Sequence, residues 1–316
     1  MAIRSSFLLP LSLLAIAIAT ASCRAPTNSQ AAPAVSAPAA SESAAADDES
    51  PARADTPEAS EPTYDGPPKT VLVELFTSQG CNSCPPADAF IGELASLDWS
   101  ADRVIPLTYH VTYWDDLGWQ DPYARQLFDQ RQIGYAQQVT GRRAPEETTL
   151  RGPYTPQLVV DGQVHFSGTL RDVAREEVTR LSKRPTLIEL SIERATAAPP
   201  PAGAEPVATV EVRSSMREGA ALDTDAAKIG LFAALVHEQL STEVPRGENA
   251  GKTLREFNVV RAFQGPKLFR SHRAENKTRF ELPLPEGVAP VELQVVVFAQ
   301  GLGDLGVYTV DTSPLS

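Results

Sequence analysis

Apolar positions along the chain fall into short bursts separated by turn residues, and the spacing inside each burst sets what it predicts. Residues 71–76 (VLVELF) are a near-continuous apolar run with β-branched members, the pattern of a buried strand. In 87–97 the residues Phe90, Ile91, Leu94 and Leu97 recur at helical spacing on one face, which predicts a helix. Residues 104–109 give a second apolar strand, and 123–139 a helical segment. Two short strands, 158–160 and 164–166, flank Asp161-Gly162, a dipeptide suited to a tight hairpin turn. Residues 170–182 read as a closing helix.

Two strands joined by a helix make a parallel unit with a right-handed crossover. The order β-α-β-(α)-β-β-α over 69–185 is that of a thioredoxin-type sheet. Beyond residue 185 several segments alternate with a period of two. Residues 187–192, 207–212, 229–236, 257–263 and 291–298 are strand-like, with turn residues between them and few helix signals. The expected fold class is therefore an α/β thioredoxin-like domain at 69–185 followed by a separate all-β, sandwich-like domain at 186–316.

The first 68 residues belong to neither. Residues 1–23 carry Arg4, an apolar stretch over 7–18 and the small-residue segment Ala19-Thr20-Ala21-Ser22-Cys23, which together read as a secretory signal peptide. A cysteine directly after small residues is where bacterial lipoproteins are cut and acylated, so Cys23 is a candidate lipidation site. Thr20 stands where a good lipobox has Leu, which keeps simple cleavage and release open as the alternative. Residues 24–68 are Ala, Ser, Pro and acidic residues, a composition that buries too little apolar area to order itself and so predicts a disordered linker.

Composition narrows the function classes. The chain has 316 residues, 42% of them hydrophobic, and a net charge of −12. Half of that charge lies in the linker, where two arginines face eight acidic residues. A phosphate-binding surface would be basic, so nucleic acid is not an expected partner. Beyond the signal no apolar run reaches the ~18 residues of a membrane span.

Candidate chemistry centres on Cys81 and Cys84. C-x-x-C between a predicted strand and a predicted helix lets two sulfurs meet within one turn and interconvert between dithiol and disulfide. Orphan N–H groups and the positive dipole end of the helix stabilise a thiolate there. Cys81 is then the expected nucleophile and Cys84 the resolving residue. Pro85 qualifies this, since a helix starting at Pro85 would leave Cys84 as its N-cap and favour the Cys84 thiolate instead. A structural disulfide and a metal site are the alternatives, although a structural zinc would want four ligands.

Thr155-Pro156, just before the predicted 158–160 strand, fits the place where a thioredoxin-type fold carries a cis proline facing the cysteine pair. Pro156 and His110, which follows the end of the second strand as Cys81 follows the end of the first and so shares its sheet edge, complete the candidate catalytic set of Cys81, Cys84, Pro156 and His110. Thr155, Trp114, Trp119 and Tyr154 are the candidate substrate-binding residues around it. The polar, glycine-punctuated loop from Arg246 to Leu254 reads either as a binding loop or as a solvated turn, more often the latter.

The block FTSQGCNSCPPAD at residues 76–88 resembles the signature of the secreted, thioredoxin-like domain-of-unknown-function family 1223. Segments 110–122, 154–162 and 246–261 are similar to that family's later motifs in the same order, over about residues 70–310. The resemblance implies a thioredoxin-like fold and a periplasmic or exported location, with no established activity. The expected function is an exported thiol–disulfide oxidoreductase acting on protein or small thiol/disulfide substrates, without an organic cofactor. The alternatives are copper binding or transfer through Cys81, Cys84 and His110, and a non-enzymatic binding protein stapled by its disulfide. A location in the periplasm, or at the outer membrane through a lipid anchor, accompanies all three.

Overall fold

The computed structural model describes residues 66–96, 104–138, 152–197, 205–222 and 228–316. The expected signal peptide, the lipidation site at Cys23 and the linker up to residue 65 lie outside them, as does Leu97. The last expected linker residues, 66–68, are described, and the Pro67 carbonyl accepts the Thr186 amide at 2.9 Å.

The first strand, β1 (Val71–Thr77), is buried along its whole length, which explains its unbroken apolar run. Its odd positions, Val71, Val73 and Leu75, pack with Phe90, Ile91 and Leu94 of helix α1 (Pro85–Ser96) and with Ala174, Val178 and Leu181 of helix α3 (Arg171–Ser182). Its even positions, Leu72 and Phe76, face the other way, towards Phe128 and Tyr135 of helix α2 (Gln126–Gln138). Glu74 breaks the pattern on that face. Its carboxylate accepts the Arg131 Nε–H at 2.7 Å and the Tyr135 hydroxyl, so the buried charge is paired and hydrogen-bonded.

Strand β2 (Val104–His110) runs parallel to β1, with Thr77 opposite His110, and the hairpin of β3 (Gln157–Val160) and β4 (Val164–Ser167) continues the sheet antiparallel on the other side. The remaining strands are β5 (Ile188–Ala197), β6 (Val207–Met216), β7 (Ile229–Val244), β8 (Lys252–Phe269), β9 (Asn276–Pro283), β10 (Leu293–Gly301) and β11 (Val307–Pro314).

The expected fold class does not hold. Strand makes up 47% and helix 20% of the described residues, and the halves are not an α/β thioredoxin-like domain followed by a separate β sandwich. One mixed sheet of eight strands, in the order β11-β10-β7-β8-β2-β1-β3-β4, runs through both, and β5-β6-β9 form a second, smaller sheet. The join is the parallel contact of β2 with β8 at Thr108 and Val259. It is not a regular ladder, because Pro106 in β2 has no N–H to give. Side chains do the joining instead: Thr108 Oγ1 donates to the Phe257 carbonyl at 2.7 Å, and Asn258 Nδ2 donates to the Pro106 carbonyl at 2.9 Å.

The packing follows the shared sheet. Phe232, Val236, Val260 and Phe298 from the second half complete the core around Phe76, Tyr109 and Tyr135. The opposite faces of β7 and β10, with Leu231, Leu235, Val295 and Val297, pack against Val210, Val212, Phe280 and Leu282 of the smaller sheet. A pairing between 104–110 and 252–269 depends on contacts across roughly 150 positions, which no local apolar period records.

Candidate functional site

At the end of β1 the chain turns through Ser78, Gln79 and Gly80 into Cys81. Cys81 and Cys84 form a disulfide with an S–S distance of 2.09 Å and Cα atoms 5.5 Å apart. The Cys84 carbonyl accepts the amides of Ala87 and Asp88 at 2.8 and 3.1 Å, so α1 begins at Pro85 with Cys84 in the capping position. Proline is tolerated there because a first-turn N–H would be unpaired in any case. Cys81 lies in the preceding turn, its amide donating to the Ser78 carbonyl at 3.1 Å. The helix dipole therefore acts more directly on Cys84, the arrangement that Pro85 suggested. Both cysteines are fully covered, at 0% exposure, while Asn82, Ser83 and Pro86 around them are exposed.

Behind the turn lies a buried ionic cluster. His110 ends β2, and its Nδ1 sits 2.7 Å from Asp121 Oδ2 while its Nε2 faces Glu256 Oε1 at 3.6 Å. Burial alone would push the imidazolium down, but the Asp121 and Glu256 carboxylates outweigh it and lift His110 to about 9, so it is charged at neutral pH. Burial acts upward on Asp121 too. It is overcome by the His110 charge and by the Gln79 and Tyr123 amides, which donate to its carboxylate at 2.8 and 2.9 Å and hold it below the usual carboxylate range. Asp88, one helical turn after Cys84, is pushed up to about 7 by burial and then by the nearby Glu256 charge. Burial also raises Glu256.

Gln79 ties this cluster to the disulfide turn. Besides its amide on Asp121, its Nε2 donates to Glu256 Oε2 at 2.8 Å and its Oε1 accepts the Trp119 indole N–H at 3.0 Å. Asn249, from the tip between β7 and β8, is fully buried and donates to the carbonyls of Gln79 and Cys81, both at 2.9 Å. Glu248 beside it accepts the Asn82 amide at 3.3 Å. Gly247 fits against Trp119, where a Cβ would stand 3.1 Å from the Trp119 Cβ. The loop that read more readily as a solvated turn is thus packed onto the cysteine motif.

The Thr155–Pro156 peptide is cis. Gly168 lies between Pro156 and Ala87 of the first helical turn, since a Cβ there would meet both within 3.2 Å, which puts the Pro156 loop against the start of α1. Trp114 spans the gap: its indole N–H donates to Thr155 Oγ1 at 2.8 Å, and its Cβ lies 3.1 Å from where a Gly80 Cβ would be. Cys81, Cys84, Pro156, His110, Thr155, Trp114 and Trp119 therefore share one neighbourhood. Tyr154 turns elsewhere, its hydroxyl 3.0 Å from His165 Nδ1 on β4. Sequence reasoning missed Gln79, Asp88, Asp121, Asn249 and Glu256. Asp88 and Gln79 sit inside the cysteine block and could have been flagged there; Asn249 and Glu256 arrive from a distant hairpin. Among the described residues no group of three or more His, Cys, Asp and Glu side chains is arranged to hold a metal ion, and both His110 nitrogens face carboxylates.

A family described as "Protein of unknown function (DUF1223)" matches residues 72–300. A crystal structure of a protein from Agrobacterium tumefaciens is 22% identical, with 77% of this chain and 92% of that chain covered and a TM-score of 0.51. HBP35 of Porphyromonas gingivalis is 14% identical over 79% of this chain and 76% of that one, with a TM-score of 0.57. Both likenesses concern the fold. A domain of the outer membrane lipoprotein Omp28 from the same organism gives a TM-score of only 0.25, at 13% identity over 42% of this chain and 89% of that one. No curated protein matches.

Proposed function

Because the chain belongs to the DUF1223 family of proteins of unknown function, which fixes no reaction, we propose from the site itself that it is an exported thiol–disulfide oxidoreductase working through Cys81 and Cys84. The observation that carries this reading is the disulfide between residues three apart at a strand-to-helix junction, with one sulfur at a helix cap and a buried proton-binding cluster behind it. A thiolate of a protein or small thiol substrate attacks one sulfur to form a mixed disulfide and releases the other as a thiolate. A second substrate thiolate then attacks the substrate sulfur of that mixed disulfide and the enzyme cysteine leaves as a thiolate, so the pair ends as two thiols and the substrate as a disulfide. In the reverse direction one cysteine thiolate attacks and the other resolves, and the helix cap at Cys84 favours the Cys84 thiolate as the attacking one.

His110 acts in this reading as a positioning residue, holding the Gln79 turn through Asp121. Thr155, Trp114 and Trp119 would line the substrate's approach, next to the exposed Tyr113 and Leu117. The leader-like residues 1–23 support export, with a lipid anchor at Cys23 as its variant. Among the described residues no helix is long and apolar enough to cross a membrane. Copper transfer gains no support from the geometry: the two sulfurs are joined to each other, His110 Nδ1 is paired with Asp121 at 2.7 Å, and its Nε2 faces Glu256 at 3.6 Å.

The complete burial of both cysteines favours a second reading, a structural staple. Insulin-reduction turnover separates the two. Exchange predicts turnover that vanishes in Cys81→Ser, whereas a wild-type protein with no turnover in either direction leaves the staple.

A further inference from the structure

We propose that the tip between β7 and β8, residues 245–251, is a latched cover over the Cys81–Cys84 disulfide, and that thiol exchange waits on its lifting. The inference rests on the exchange reading and goes beyond it by naming the part that must move. Three observations carry it. Cys81 and Cys84 are wholly covered although Asn82 and Ser83 between them are exposed, and from within the motif the Ser83 hydroxyl reaches Cys81 Sγ at 3.3 Å. The tip grips that motif through main-chain atoms: Asn249 Nδ2 donates to the Gln79 and Cys81 carbonyls at 2.9 Å each, and the Glu248 carboxylate takes the Asn82 amide at 3.3 Å. The tip is also a discrete element: it joins two long paired strands, turns through Gly247 and Gly251 at φ 78°, and packs Gly247 closely on Trp119.

Lys252 Nζ holds Asn249 Oδ1 at 2.9 Å, which orients the amide so that its nitrogen faces the cysteine turn. Asn249 is in this account a positioning residue: it touches neither sulfur's chemistry nor a substrate, and it sets how often the disulfide is reachable. A covered disulfide that reacts only when open has a kinetic signature. As reductant rises, the rate stops following its concentration and levels off at the rate of opening.

The test uses the full chain in its oxidised form and dithiothreitol, which becomes a cyclic disulfide as its two electrons and two protons leave Cys81 and Cys84 as thiols. Free thiols are counted by alkylation and mass spectrometry. The wild type should reach a plateau rate, and Asn249→Ala, which removes two hydrogen bonds, should raise that plateau about 5- to 30-fold. Glu248→Gln, which keeps the tip but weakens an exposed contact, should raise it about 2- to 5-fold. Asn258→Ala, which loosens the β2–β8 join instead, should lower the unfolding midpoint without moving the plateau. A rate that stays proportional to dithiothreitol and is the same in Asn249→Ala overturns the cover while leaving exchange standing. A plateau that follows the unfolding midpoint in all three variants also overturns it. Resistance of both wild type and Asn249→Ala to reduction short of unfolding sinks the exchange reading, and the cover with it.

Discussion

Asp88 and His110 make the site's stability depend on pH in a direction that follows from their environments. Asp88 is raised from its ordinary range to about 7 in the folded chain. The stability tied to its proton is complete below the ordinary carboxyl range and is lost as pH rises through about 7. His110 is raised to about 9, so its contribution is complete below the ordinary imidazole value and lost as pH passes about 9. Urea unfolding of the wild type should therefore show these contributions fading from about pH 4 to about pH 9. Asp88→Asn should flatten the part of the curve below about pH 7, a difference of at most ~4 kcal/mol. His110→Gln is expected to cost about 3–5 kcal/mol at neutral pH, because it leaves Asp121 and Glu256 buried without their cation. Circular dichroism under urea checks both. Cys81, Cys84, His110 and Pro156 were readable from their residue types and their places beside strand ends. Glu256 and Asn249 were not, since each is an ordinary polar residue in a hairpin and gains its role only by burial against a turn roughly 170 positions away.

Among the elements, the apolar bursts located most strands and all three helices, because those segments bury one or both faces over several residues. Strands β9 and β11 escaped, since their inward residues are few and alternate with charged or hydroxyl side chains: Phe280 and Leu282 in one, Val307 and Val310 in the other. The join between β2 and β8 was equally silent. Asn258 holds φ 50° and reaches the Pro106 carbonyl, and nothing near it in the chain says so. Asn258→Ala should cost about 1–3 kcal/mol, from a stranded carbonyl and an unfavourable backbone angle, measured as a shift in the denaturant midpoint. Arg131→Ala on α2 should cost about as much as loss of a buried ion pair, ~3–5 kcal/mol. Glu74 would then lie uncompensated inside the core, and the Tyr109, Tyr135, Phe232, Phe263 and Phe298 rings would lose the guanidinium packed 5.1–5.8 Å from their centres.

For the whole molecule, the continuous sheet and the core drawn from both halves make the segments on either side of residue 185 depend on one another. Calorimetry should give one cooperative transition, and two well-separated transitions would contradict the shared core. The same arrangement puts the cysteine turn under a hairpin from the far half of the chain, so the exchange reading draws on both halves at once. The measurement that bears on it most directly is the reduction potential of the Cys81–Cys84 pair in the folded, full-length chain, by equilibration with glutathione buffers. A working exchanger predicts a value above about −300 mV, within reach of cellular thiol couples; a value well below that marks the disulfide as a permanent staple and contradicts the account.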